Sequence, residues 1–147
     1  MNAATVLGFF SRSIHVDGRD HPSTDDELLL RIVAILSIEC DGEAIYSEPE
    51  FPVVELASAL NAWLSIPERT RPDFSFESME AAERGLVWIR SGADGWRVGS
   101  ARQLRGMTKA VSLGEVDFAI RRYLRDVASQ AKGLGCDVTR VIERQRD

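Results

Sequence analysis

The chain of 147 residues carries a formal net charge of −5, with 44% hydrophobic and 28% charged residues. A single domain of this size buries most of its unfolded apolar surface in one core, and the composition is that of a folded globular chain. The negative balance argues against a general nucleic-acid binder, whose footprint is positive.

Charge is unevenly divided. Residues 1–70 hold 12 acidic and 4 basic side chains, whereas residues 71–147 hold 11 and 14. The plain reading is that the two halves attract across a shared fold. The sharper one is an acidic recognition patch built from Asp17, Asp20, Asp25, Asp26, Glu27, Asp41, Glu43, Glu48 and Glu50. The N-terminus lacks a basic n-region, and its apolar run Val6–Phe10 is too short for a signal-peptide core. No run approaches the roughly 20 apolar residues of a membrane span. Cys40 and Cys136 lie far apart without CxxC spacing, which fits buried free thiols in a cytoplasmic protein.

In chain order, residues 1–26 form a weakly patterned lead-in, with Thr5–Phe10 as a short strand or hydrophobic plug. After the breaker cluster Pro22–Asp25, the apolar run Glu27–Cys40 reads as a central strand covered on both faces, with a helix as the rival reading. Asp41–Gly42 favours the strand, because Asp-Gly between extended runs marks a hairpin, with Glu43–Glu48 returning. Phe51–Ser65 is the first clear helix. Pro52 suits its first position, and Val53, Leu56, Leu60 and Trp63 form one stripe.

A charged loop leads into the segment Asp73–Ser100. Phe74 and Phe76 alternate with polar residues, Met79–Arg84 is a polar excursion, and Leu86–Ile89 is an apolar strand. Ser91–Gly95 is a hairpin loop, and Trp96 and Val98 share one face of the return strand. Residues 101–110 form a basic loop with Arg102, Arg105 and Lys109. The second helix opens on a capping box, Ser112 to Glu115, with Val111 and Val116 as its hydrophobic staple. Val116, Ile120, Tyr123 or Leu124, Val127 and Ala131 follow on one face, and Gly133 is the expected left-handed C-cap. Cys136–Ile142 is a strand or loose extension ahead of a frayed tail, 143–147. Together these elements predict a single α+β domain. Its mostly antiparallel sheet of about five strands follows the order ββ-α-βββ-α, with two helices packed on one face.

Signatures of chemistry are sparse. His15 and His21 are the only histidines, whereas a zinc or iron site needs three or four converging ligands, so neither metal nor cofactor is expected. Gly92, Gly95 and Gly99 do not follow GxGxxG spacing and read as turn residues. The neighbouring carboxylates Glu77 with Glu80, and Asp25 with Asp26, fit a solvated edge or a helix N-cap better than a tuned acid/base pair. Arg121, Arg122 and Arg125 form a basic helix face, partly neutralised by Asp117 one turn before Arg121 and Asp126 one turn after Arg122. That face is solvated, or it docks an acidic partner or a phosphate. At the hairpin tip, Arg90, Trp96 and Arg97 combine the residue types most enriched in binding hot spots.

The segments EFPVVELASALNAWL, DFSFESME, GLVWIRSGADGWRVGS and SLGEVDFAIRRYLRDV together resemble a small uncharacterised domain family of high-GC bacteria. Sixteen arginines against two lysines fit such a genome. In size, acidity and layout the chain is also similar to the single-domain immunity proteins of polymorphic or contact-dependent toxin systems. That resemblance implies a non-enzymatic protein-binding domain that neutralises a basic toxin domain by covering its active site, but it carries over no functional residue. The candidate contacts, Asp25, Asp26, Glu27, Asp41, Glu43, Glu48, Arg90, Trp96 and Arg97, come from charge and hairpin composition alone. The alternative is a small-molecule-binding domain or enzyme with a pocket between helix and sheet lined by Glu77, Arg90 and Tyr123. A homodimer closing on an apolar patch is a third option.

Overall fold

The computed structural model describes residues 6–79, 86–101 and 107–144. Within them, the apolar run after Pro22 divides into a helix and a strand. Thr24 caps α1 (Asp25–Arg31): its Oγ1 accepts from the Glu27 amide at 3.1 Å and donates to Oε1 of Glu27. Asp25, Asp26 and Glu27 in the first turn favour the positive end of the helix dipole. At Ile32 the backbone turns extended, and the β-branched run continues without a loop as β2 (Ile32–Cys40). The predicted strand over Glu27–Cys40 is therefore helical up to Arg31.

β2 is the centre of an antiparallel sheet with β1 (Leu7–Val16) and β3 (Glu43–Phe51), in the order β1-β2-β3. The expected Asp-Gly turn joins β2 to β3, with Asp41 at φ 54° and Gly42 at φ 82°. The lead-in proves to be a ten-residue strand, not a short plug. Two bulges flank one point of β2. Ser13 and Ile14 oppose Ala34 on one side, and Pro49 and Glu50 oppose Ile35 on the other. Ser13 (φ 57°) and Glu50 (φ 54°) take left-handed backbone there, a costly conformation for residues other than glycine.

Pro52 caps α2 (Val53–Leu64), one residue outside the position expected, and Phe51 closes β3 in the core. α2 packs on β2, and α3 (Leu113–Gly133) packs on β1 and α2. Tyr123 of α3 lies 6.1 Å from Phe9 and donates its hydroxyl to the Val53 carbonyl at 2.7 Å. Burial holds this phenol well above its ordinary pKa.

The later strands β4 (Phe74–Ser75), β5 (Trp88–Gly92) and β6 (Gly95–Gly99) form a second sheet of their own, order β4-β5-β6. This corrects the single five-stranded sheet to two antiparallel sheets of three strands. The outer edge of β6 is taken by residues 107–111, with Trp96 and Val111 exchanging both backbone hydrogen bonds at 2.8 Å. The sheets meet through side chains instead. Phe51 and Phe76 lie 5.5 Å apart, and Trp63 of α2 contacts Phe74 at 6.0 Å and Trp96 at 5.7 Å. Buried residues from both sheets form one cluster.

Ser112 caps α3 as expected, accepting from the Glu115 amide at 3.1 Å, and both staple valines are buried. The reciprocal half of the box is missing, since Oε2 of Glu115 is buried without a hydrogen bond among the described residues. Gly135 (φ 80°), not Gly133, is the left-handed residue. Its amide reaches Lys132 O at 2.9 Å and that of Cys136 reaches Ala131 O at 3.0 Å, a Schellman motif. The predicted strand or extension over Cys136–Ile142 is a turn followed by α4 (Thr139–Glu143), so the two expected helices become four. Cys40 and Cys136 are buried free thiols, and burial raises the pKa of both. No helix among the described residues is long and apolar enough to cross a membrane. Glu80, Arg84, Arg102, Arg105 and the tail 145–147 lie outside the described residues.

One ion pair is sealed inside this frame. Arg71 and Asp117 meet at 2.7 Å with side chains only 3% and 4% exposed. Arg71 also donates to the carbonyls of Ile66 at 3.0 Å and Leu64 at 3.2 Å, and its guanidinium stacks 4.7 Å from the Trp63 ring. Replacing Arg71 by Met alone, or Asp117 by Leu alone, is expected to lower unfolding free energy by about 3–5 kcal/mol, because it strands a buried charge. The double variant R71M/D117L is expected to recover much of that loss in urea titration. Additive losses in the double variant would contradict this account.

Candidate functional site

The bulge of β3, the end of α1 and the start of the β1–α1 loop line a groove of about 270 Å³. Its floor is apolar, with Leu30, Val33, Phe51, Pro52 and Leu86, and three carboxylates, Asp17, Glu48 and Glu50, line it. Local chemistry explains the placement. The left-handed backbone at Glu50 belongs to the bulge that brings Pro49 and Glu50 to the groove, while Pro49 leaves one amide fewer to pair there. Asp17 is held by backbone bonds with Arg31: its amide donates to Arg31 O at 2.6 Å, and its carbonyl accepts from Arg31 Nε at 2.9 Å. The same guanidinium pairs with Glu27 at 2.7 Å and donates to the Asp20 carbonyl, so it locks the loop between β1 and α1.

His15 ties the two bulges together. Its Nδ1 lies 3.0 Å from Ser13 O and its Nε2 lies 3.3 Å from Oε1 of Glu50. The Ser13 carbonyl does most to hold the imidazole above its ordinary pKa; burial opposes it, and the Glu50 carboxylate adds to the rise. Protonated His15 therefore bridges the outer strands across the face of β2.

The predicted acidic residues do not form one patch. Asp25, Asp26 and Glu27 sit in the first turn of α1, whereas Asp41 and Glu43 flank the turn at the far end of β2, a strand of nine residues and about 26 Å. Several are neutralised in place. Asp25 holds Arg140 at 3.1 Å and Arg144 at 2.9 Å, and Asp41 holds Lys109 at 2.6 Å. Hydrogen bonds from Lys109 and from the Val6 amide keep the Asp41 carboxyl below its usual pKa, and bonds from Arg31 and Thr24 do so for Glu27. Asp25 and Asp41 thus meet cations of the second half of the chain, as the plain reading of the charge asymmetry has it, whereas Glu27 pairs with Arg31 of its own half. Asp26 stays exposed, and Glu48 is the one member of the shorter candidate set that lines the groove.

The hairpin candidates are split between faces. Arg90 and Arg97 are directly opposed across β5 and β6, with Arg90 stacked 4.1 Å over Trp88 and Arg97 bound to Asp94 at 2.9 Å. Trp88 fits because Gly99 faces it: a Cβ there would lie 2.2 Å from the indole. Trp96 points to the other face and packs on Trp63. Glu77, Arg90 and Tyr123 are not brought together either, since Tyr123 is fully buried while Glu77 and Arg90 are exposed. Among the described residues no group of three or more His, Cys, Asp or Glu could hold a metal ion.

The floor residues Leu30, Val33 and Pro52, and the bridging role of His15, were missed from sequence. The one local signal was Pro49 between two glutamates, which marks an irregular edge strand. The family model described as a domain of unknown function (DUF7878) matches residues 10–132. The chain belongs to this family. No curated protein and no solved structure matches it. The DUF7878 match begins in β1 and runs to the end of α3, so it spans the strand and loop carboxylates of the groove and leaves α4 outside.

The His15 bridge has a definite pH signature. A folded-state pKa above the unfolded value contributes stability that is full below about pH 6.5 and is lost as pH rises through the folded pKa. With half of the side chain exposed, the effect stays below about 0.5 kcal/mol. H15Q is expected to flatten that part of the stability profile measured by urea unfolding between pH 5 and pH 8. An unchanged slope in H15Q would show that the bridge contributes nothing.

Proposed function

We propose that this domain is a non-enzymatic protein-binding module whose acidic groove receives a basic side chain of its partner, with an immunity-type toxin inhibitor as its specific form. The observation that carries the reading is the groove itself: Asp17, Glu48 and Glu50 around an apolar floor. A lysine or arginine places a methylene stem on such a floor and its cation among the carboxylates. The net charge of −5 adds long-range attraction for a basic partner. An inhibitor of this kind acts by occupying the space a substrate needs, so it requires a fitted surface and no catalytic group of its own. Asp25, Asp41 and Glu27 support that surface indirectly, by fastening α4, the 107–111 segment and the β1–α1 loop.

The test is a comparison of charge reversals. A basic protein retained from a lysate of the native host is expected to bind D17K/E50K about tenfold more weakly than the wild-type domain by calorimetry, with affinity falling as salt rises. D26K, on the exposed turn of α1, is expected to bind as the wild type does. Equal affinities for D17K/E50K and wild type would remove the groove from the interface. A captured enzyme that keeps its activity when bound would refute the inhibitor form.

A further inference from the structure

A second surface, opposite in sign to the groove, lies on the outward side of α3. Most apolar residues of that helix face the core, yet Phe118 is 66% exposed. Arg121, Arg122 and Arg125 follow it within two turns, on the same outward side at helical spacing. The intrahelical pairing expected for Arg121 does not form, because Asp117 is turned inward and held by Arg71. Arg121 and Arg125 make no ion pair among the described residues, and Arg122 reaches Asp126 only at 4.0 Å.

The surface continues onto β1. Phe10 lies back over Gly8, where a Cβ would sit 2.3 Å from its ring, so the missing side chain lets the ring lie along the strand. Two guanidinium groups flank that ring: Arg12 at 5.6 Å and Arg122 at 5.8 Å from its centroid. Arg122 thus joins helix and strand into one surface. Ile35, 38% exposed, stands directly opposite Arg12 on β2 and extends the apolar part. Among the described residues, four arginines face two carboxylates here, Glu39 on Arg12 at 3.0 Å and the distant Asp126 on Arg122. The rest of the chain carries the surplus negative charge.

An exposed phenylalanine among arginines combines an apolar anchor with bidentate carboxylate donors, a pairing enriched at protein interfaces. We propose that Phe10, Arg12, Phe118, Arg121, Arg122 and Arg125 form a docking surface for an acidic protein segment that carries a large apolar side chain. Charge complementarity selects the carboxylates, and the two rings bind the apolar residue between them and Ile35. The surface does not depend on the groove reading, since the groove takes a cation and this face takes an anion.

The probe is a library of short random peptides displayed on phage and selected on the wild-type domain, with enriched peptides measured by fluorescence polarisation. Enriched sequences are expected to carry surplus Asp and Glu beside an aromatic or aliphatic residue. They are expected to bind D17K/E50K like the wild type and to bind F118A/R122E about tenfold more weakly, with the difference shrinking at high salt. Phe118 and Arg122 are exposed, so thermal unfolding should be unchanged; if R122E unfolds the domain, F118A alone serves as the comparison. Enrichment of basic peptides, equal binding to F118A/R122E, or no enrichment overturns the proposal. So does a single-stranded oligonucleotide that binds the wild type and is lost in F118A/R122E, because that outcome assigns the surface to nucleic acid.

Discussion

The fold turns on Arg71. A single guanidinium caps the open end of α2, stacks on Trp63, and binds Asp117 across the gap to α3. Each of these contacts fixes a different neighbour. The cap ends the helix where the loop to β4 departs, the stack orients Trp63, and the ion pair holds two helices at one separation. Trp63 in turn donates its indole N–H to Pro72 O at 2.8 Å and carries Phe74 and Trp96 on its ring. The second sheet, which among the described residues shares no backbone ladder with the first, is therefore positioned through Arg71 and Trp63 together with the Phe51–Phe76 contact.

A buried pair of this kind adds little net stability, since desolvation offsets most of the attraction, yet losing either partner strands a charge. Its further effect appears on the outside of α3. With Asp117 turned inward, Arg121 is left without the carboxylate its helix spacing promised, and the outward face gains charge. An internal constraint and an external surface are thus two sides of one residue choice.

Sequence legibility followed the range of the interaction. The Asp41–Gly42 turn and the Ser112 cap are set by a few neighbouring atoms, and both stand where sequence places them. The Schellman end of α3 was displaced by two residues, because Gly133 and Gly135 both suit the pattern and only packing selects between them. α1 was missed since LLLRIVAIL has no period that separates helix from strand, although Thr24 and Glu27 carried the capping signal. The division into two sheets, the scattering of the acidic residues and the groove all rest on long-range pairing. Ser13 and Glu50 take left-handed backbone that neither residue type announces, so apart from Pro49 no local signal points to the bulge that shapes the groove.

Those irregularities also constrain how anything can join the domain. β3 is an outer strand, and its row of amides and carbonyls would ordinarily invite another chain to pair with it. Pro49, the bulge at Glu50 and a further register break between Ile38 and Glu39 interrupt that row. On the opposite border, Gln130 of α3 donates to the Ser11 carbonyl at 3.0 Å and occupies the edge of β1. Among the described residues, both edges of the first sheet are thus interrupted as templates for strand addition. Recognition by β-augmentation, and the fibrous self-association that shares its geometry, are both disfavoured at this sheet.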